Sequence, residues 1–295
     1  MQNGGLNMSE EFTEVRIIDN FYQTSGFFPM PVVLVSTLDE SGATNLGPYS
    51  LCFPYIVTGG KMHSMLLIAR PDSNTAQNII RTKVCSLNFI PDKKKYMKNC
   101  VLLGYPGETT EQKMKNSIFT LRLSTRSGPP PKGLPKFPDI VEEAVQVFEC
   151  TWNDSLPLKP IPSSEASHLV LVIDKIIMKK KWKDSLFKGK GFPHLPIDYG
   201  YRDNIQFWFT RHSRPYAVRV PSSKEAPVET VQYACERFDP DIKWEKEACA
   251  KIVKVPNIFL KRVISGVVEA AKKEGIDVIT PEFMDKLQDK RSSER

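Results

Sequence analysis

The sequence predicts a mainly β fold of the α+β kind: a barrel, followed by a small all-helical module. Two observations carry this. Short apolar strands recur at irregular intervals up to about residue 220. Few helices interrupt them, which argues a barrel and not a doubly wound sheet. Beyond that point the apolar period lengthens to that of a helix. The 295 residues, at about 150 per domain, allow one large domain or two. Hydrophobic residues at 41% and charged residues at 25% exclude a disordered chain.

The strands can be justified in order. Val32-Val33-Leu34-Val35-Ser36-Thr37 is rich in β-branched residues and ends at the turn Asp39-Glu40-Ser41-Gly42, where glycine supplies a positive φ. Met62 to Ala69 is a second apolar strand and Val84 to Ile90 a third. Val147 to Trp152, His168 to Met178 and Ile205 to Thr210 continue the series. One short helix begins at Asn74, with Ser73 or Asn74 as its N-cap and Ala76, Ile79 and Ile80 on one face. Another is expected near Glu111 to Phe119. Ser127 to Pro135 is too rich in proline and glycine to be a helix or central strand.

Pro221 to Pro227 has linker composition. From Asp241 onward, Ala248, Ile252 and Val255 form one helical stripe, and Phe259, Val263, Val267 and Ala270 another. Thr280-Pro281-Glu282 starts a helix, and Gly275 ends the one before it. The expected organisation is a domain over 12–220, a linker over 221–240 and a helical domain over 241–290.

No apolar run approaches the roughly 20 residues that cross a bilayer, so no membrane association is expected. Met1 to Met8 lacks the basic and apolar regions of a signal peptide. The six cysteines form no C-x-x-C pair and no zinc spacing. They read as free thiols of a reducing, cytoplasmic compartment, and neither a metal site nor an iron–sulfur cluster is expected.

The net charge of +7, from 41 Lys plus Arg against 34 Asp plus Glu, raises the question of nucleic acid. Its sources are scattered: Lys93-Lys94-Lys95, Lys179 to Lys183 around Trp182, Lys261-Arg262 and Lys272-Lys273. The expectation is solvated surface and no nucleic-acid partner. An acidic redox protein or a phosphate-bearing cofactor accounts for the excess equally well.

Candidate chemistry concentrates between residues 31 and 79. Arg70, Ser73, Asn74 and Thr75 gather at a helix N-terminus, where unpaired N–H groups favour an anion. The other reading is that Ser73 and Thr75 only cap the helix. Asn45 to Phe53, with a Gly47-Pro48 pair followed by polar and small residues, lets backbone approach a flat ligand. It reads also as a bulged strand with Tyr49 and Phe53 in the core.

In this order the pieces resemble the flavin reductase-like family, across roughly residues 25 to 215. Ser36-Thr37, Asn45, Pro48-Tyr49-Ser50, Thr75, Asn78-Ile79 and Asn88 stand where that family's pattern has them. Glu142 to Cys150 and Ser167 to Leu171 are also similar. Ser73 and Asn74 depart from the family's Lys-Asp or Arg-Asp, leaving Arg70 as the phosphate cation. Leu121 to Pro138 does not match the pattern.

The resemblance implies an FMN-binding split barrel, usually a homodimer, with flavin doing the redox chemistry. It implies FMN phosphate on Arg70, Ser73, Asn74 and Thr75. It implies ribityl and ring contacts from Thr37, Asn45, Tyr49, Ser50, Leu51 and Cys52, and a place near the flavin for His168. No general acid is implied, so no catalytic residue is named. Cys52 reads more readily as a small core residue, and Asn78 as a brace between helix and barrel rather than a ligand contact. No Rossmann motif is present. NADH or NADPH as transient donor is implied only through stacking on the flavin. Family members include reductases and flavin-based electron carriers served by a protein partner.

The end of the chain has its own resemblance. Trp244-x-x-Glu247-Ala248, Val255-Pro256-x-x-Phe259-Leu260-Lys261-Arg262, Val268-Glu269-x-Ala271, Gly275 and Ile279-Thr280 are similar to the C-terminal helical domain of the light-independent protochlorophyllide reductase B subunit. This implies a packing or docking module, or one that helps form a tetrapyrrole or redox-partner site.

Overall fold

The computed structural model describes residues 12–17, 20–57, 62–104, 109–156, 158, 166–188, 190–201, 207–210, 228–239 and 241–293. Its elements begin with α1 (Phe21–Thr24), β1 (Met30–Pro31), β2 (Val33–Leu38), β3 (Thr44–Tyr49), β4 (Cys52–Ile56) and β5 (Ser64–Ala69). Next come α2 (Asn74–Thr82), β6 (Val84–Phe89), α3 (Lys94–Leu103), α4 (Thr110–Lys115), β7 (Leu121–Arg122) and β8 (Ile140–Val141). Then follow β9 (Gln146–Trp152), β10 (Ser167–Met178), α5 (Lys180–Lys188), β11 (Ile197–Tyr201) and β12 (Phe207–Thr210). The rest are α6 (Val228–Phe238), β13 (Lys243–Trp244), α7 (Lys246–Ala250), α8 (Asn257–Lys273), β14 (Val278–Ile279) and α9 (Pro281–Ser293). The chain divides into two units: residues 1–186 with 190–215, and 187–189 with 216–295.

The first unit is built on a seven-stranded sheet of order β3-β2-β6-β9-β10-β5-β4. Every neighbouring pair in it is antiparallel. Its two edges, β3 and β4, are consecutive in the chain and only Ser50 and Leu51 separate them. So short a link brings the edges together, and the sheet curls into a barrel split between β3 and β4. This is the mainly β split barrel that the resemblance implies. A smaller sheet, β1-β11-β12, and a β7–β8 ribbon accompany it.

Strand β2 is buried along its whole length. Val33 and Val35 join the core made with Ala76 and Ile79 of α2. Leu34 joins a second core, with Met97, Cys100 and Leu103 of α3. Covering both faces is why the strand reads as a continuous apolar run and not an alternating one. Gly42 has φ +83°, as the turn requires. Asp39 Oδ1 closes that turn by accepting from the N–H groups of Ser41 and Ala43. Asn88 braces three strands: its amide donates to Leu34 O (2.8 Å) and Ser36 Oγ (2.7 Å), and its Oδ1 accepts from Val141 N (2.8 Å).

Helix α3 starts within the Lys93-Lys94-Lys95 run and α5 within the Lys179–Lys183 run. Both runs therefore lie at helix N-termini. The second helix expected near 111–119 is the shorter α4, ended at Asn116. In the second unit α6 occupies most of the stretch expected as linker. Its Val231 and Cys235 are fully buried against Trp244, Ala248, Ile264 and Ile279. Pro221 to Pro227 lies outside the described residues.

Candidate functional site

Helix α2 organises the site. It starts at Asn74 because Ser73 caps it, accepting from Ala76 N at 3.2 Å. The first N–H groups of a helix have no acceptor within it, so this end faces a cavity of about 430 Å³ with partial positive charge. Arg70, Ser73, Asn74, Thr75 and Tyr49 line the cavity, as does Gly47. Five of the residues expected at a cofactor site are thus brought together.

The hydroxyls here are interlocked. Tyr49 OH donates to Ser73 Oγ (3.0 Å), and Ser73 Oγ donates to Arg70 O (2.8 Å). Burial raises the Tyr49 phenol, against the pull of Ser73, Thr75 and Arg70. The ring therefore stays neutral and donates. A Cβ at Gly47 would overlap Thr75 Oγ1 and stand 3.1 Å from the Tyr49 ring. Only glycine leaves the cavity floor its shape at this position. Arg70 is exposed at the mouth, 3.7 Å from Asp72. Asp72 places a negative charge on the same rim.

The far wall was not legible in the sequence. Leu103 and Gly104 end α3, and Thr109 and Lys113 belong to α4 and its cap. A capping box between Thr109 and Gln112 fixes α4. Lys113 is only 9% exposed and adds a second cation to the cavity. The α4 capping box was the available sequence signal, since it sets the helix on which Lys113 lies.

The other expected residues sit elsewhere. Thr37 and Asn45 are fully buried. Thr37 Oγ1 accepts from Asn78 Nδ2 (3.1 Å) and Asn45 Nδ2 (3.5 Å), which makes Asn78 a brace between α2 and the barrel. Asn45 Oδ1 is buried with no partner. Cys52 turns its thiol into the core, where burial pushes it up to about 12. Ser50 Oγ donates to Asp198 of β11. Leu51, just before β4, forms a half-buried row with Ile68 of β5 and His168 of β10. Ile68 N donates to Leu51 O at 2.9 Å, and Ile68 pairs with His168. That row ends two residues before Arg70 in the chain.

All six cysteines are buried free thiols. Among the described residues no cluster of histidine, cysteine or carboxylate side chains could hold a metal ion. No helix among them is long and apolar enough to cross a membrane.

No family model matches the chain, and no curated protein matches it. Solved structures do. Nitrilotriacetate monooxygenase component B from Bacillus cereus is 13% identical, with TM-score 0.50, over 70% of this chain and all of that one. An FMN-binding protein from Thermus thermophilus is 14% identical, with TM-score 0.49, over 72% of this chain and all of that one. A flavoredoxin from Methanosarcina acetivorans is 16% identical, with TM-score 0.48, over 70% of this chain and 97% of that one. At such identities the likeness to component B shows the fold alone.

Proposed function

We propose that the chain binds FMN and is a flavoprotein oxidoreductase, passing electrons to a flavin or small acceptor. The observation that carries this reading is the cavity at the start of α2. There Arg70, the helix N-terminus and the Thr75 hydroxyl face Lys113 across a floor kept open by Gly47. A phosphate fits that set of donors: two cations, hydroxyls and helix N–H groups. Ser73 caps the helix, and the neutral Tyr49 hydroxyl fixes it from below. The Leu51–Ile68–His168 row offers the ring an apolar ledge with one polar edge.

FMN, when bound, supplies hydride and single-electron chemistry, and the protein supplies binding and orientation. Arg70 and Lys113 neutralise the phosphate, and Gly47 and Thr75 set how closely backbone approaches. NADH or NADPH is the proposed transient donor. The proposed state is a cytoplasmic homodimer, and the second unit is a docking module for a redox partner.

An absorbance spectrum of the purified protein tests this. Flavin bands bleached by NADH or NADPH are the expected result. Colourless protein that takes up no added FMN overturns it. Arg70→Ala should weaken FMN about tenfold, the size of one charge-assisted hydrogen bond. A flavin reduced only by a protein partner would make the chain an electron carrier and not a reductase.

A further inference from the structure

The other end of α2 borders a second cavity, an open groove of about 730 Å³. Arg81, Lys83, Arg126 and Lys132 line it, and Glu40 is the one carboxylate beside them. Two of the cations are already paired by acids outside the lining. Lys83 Nζ lies 3.0 Å from Asp154, and Arg126 Nη2 lies 3.0 Å from Asp174. Arg81 instead spends its guanidinium on neutral oxygens, Leu38 O (2.5 Å) and Asn78 Oδ1 (3.1 Å), so its charge is not cancelled.

Two details show that this is more than scattered surface charge. Arg126 has a side chain only 10% exposed, its Nε is buried with no partner, and its Cζ stands 5.2 Å from the centre of the Phe137 ring. A buried, unmade guanidinium hydrogen bond is costly. Lys83 has φ +63°, in the left-handed region where a helix ends most cheaply on glycine. The lysine that stands there instead reaches over the Trp152 ring, 3.8 Å from its centre, at the groove's edge.

The groove has a rigid wall. The proline-rich segment between residues 127 and 135 is tethered at both ends. On one side the buried carboxylate of Glu149 accepts from Ser124 Oγ (2.5 Å), Thr125 N (3.0 Å) and Thr125 Oγ1 (3.1 Å). On the other, Asp139 bonds Thr44 and Lys136. Pro135 packs so closely that a Cβ at Gly42 would come within 2.9 Å of it. A preset proline segment loses little freedom when it meets a ligand, and Leu134 and Phe137 give it an apolar lining.

We propose that this groove binds a small organic anion, a phosphate or carboxylate group carried on a flat apolar body. Arg81 and Lys132, both exposed in the groove, hold the anionic group, and the flat body lies against Leu134 and Phe137. The volume is within the range of small-ligand pockets. The site is separate from the flavin cavity, and the inference stands whether or not FMN binds there.

Calorimetric titration of the full chain tests it, with AMP and benzoate as probes and adenosine as the uncharged control. At least one acid should bind, and adenosine should not. AMP alone assigns a phosphate ester, benzoate alone a carboxylate, and both together the shared chemistry. Lys132→Glu, on the exposed strap, should weaken binding about tenfold, the loss of one charge-assisted bond. Arg81→Gln should weaken it by a similar factor, while Arg70→Ala should leave it unchanged. Failure of both acids to bind overturns the proposal. So does equal affinity in Lys132→Glu, equal binding of adenosine, or loss in Arg70→Ala, which would seat the acid in the first cavity.

Discussion

The two ends of α2 reach positive potential by opposite means. At the N-terminus the helix itself contributes, because its first N–H groups have no acceptor within the helix ladder and carry partial positive charge. One exposed arginine and one buried lysine complete that end. At the C-terminus the carbonyl groups work against an anion, and four cations crowd there instead. Two of those need carboxylates to hold them in place. The charged side chains that a cavity requires thus depend on which way its helix points, and a count of lysine and arginine does not reveal this.

Asn78 connects the two ends, which makes it the residue whose loss should tell most. Its amide donates to Thr37 Oγ1 and its carbonyl oxygen accepts from Arg81. Asn78→Ala leaves a buried hydroxyl short of a donor and releases Arg81. The expected cost is about 2–3 kcal/mol, a fall in melting temperature of about 5 to 10 °C by thermal scanning. An unchanged melt would mean that the two ends are independent.

Gly47→Ala acts on the N-terminal end alone. The added methyl must displace Thr75 Oγ1 and crowd Tyr49. About 1–2 kcal/mol of overpacking is expected, with weaker FMN retention in the same sample. FMN affinity at the wild-type value would remove Gly47 from the cavity floor. Lys83→Gly acts on the C-terminal end and should change least. Relief of a left-handed side chain gains about 1 kcal/mol. Loss of the Trp152 and Asp154 contacts takes back a similar amount. A melt shifted by less than about 2 °C is expected, and a large stabilisation would show that those contacts contribute nothing.

Local chemistry was legible in the sequence, and tertiary approach was not. Ser73, Ala76 and Ile79 announced α2 because a cap and an apolar face lie within seven residues. The six strands named from the sequence fall within two residues of β2, β5, β6, β9, β10 and β12, because β-branched runs were bounded by turns. Strands β3 and β4 stood only as one of two readings of Asn45 to Phe53, and β11 was not expected. Helix α3 was not expected from the sequence, because Lys93 at its start supplies no side-chain cap, although Tyr96, Met97, Cys100 and Leu103 hold a helical period and are all buried. Lys113 could not be assigned to the cavity from sequence, because only the packing of α4 beside β3 brings it there. Thr37 and Asn45, expected as cofactor contacts, brace the interior and do not line the cavity.

Helix α6 has a practical consequence for dissecting the chain. The composition of residues 221–240 invites cutting there to obtain the two units separately. A cut after residue 240 would strip Val231 and Cys235, both fully buried, from the second unit's core. It would also remove the Asp239 partner of Lys272, 2.6 Å away. The severed fragment would then carry an open apolar scar on α7 and α8. Insolubility of such a piece would report the choice of boundary and say nothing about the module's capacity to fold. A usable boundary lies before Val228.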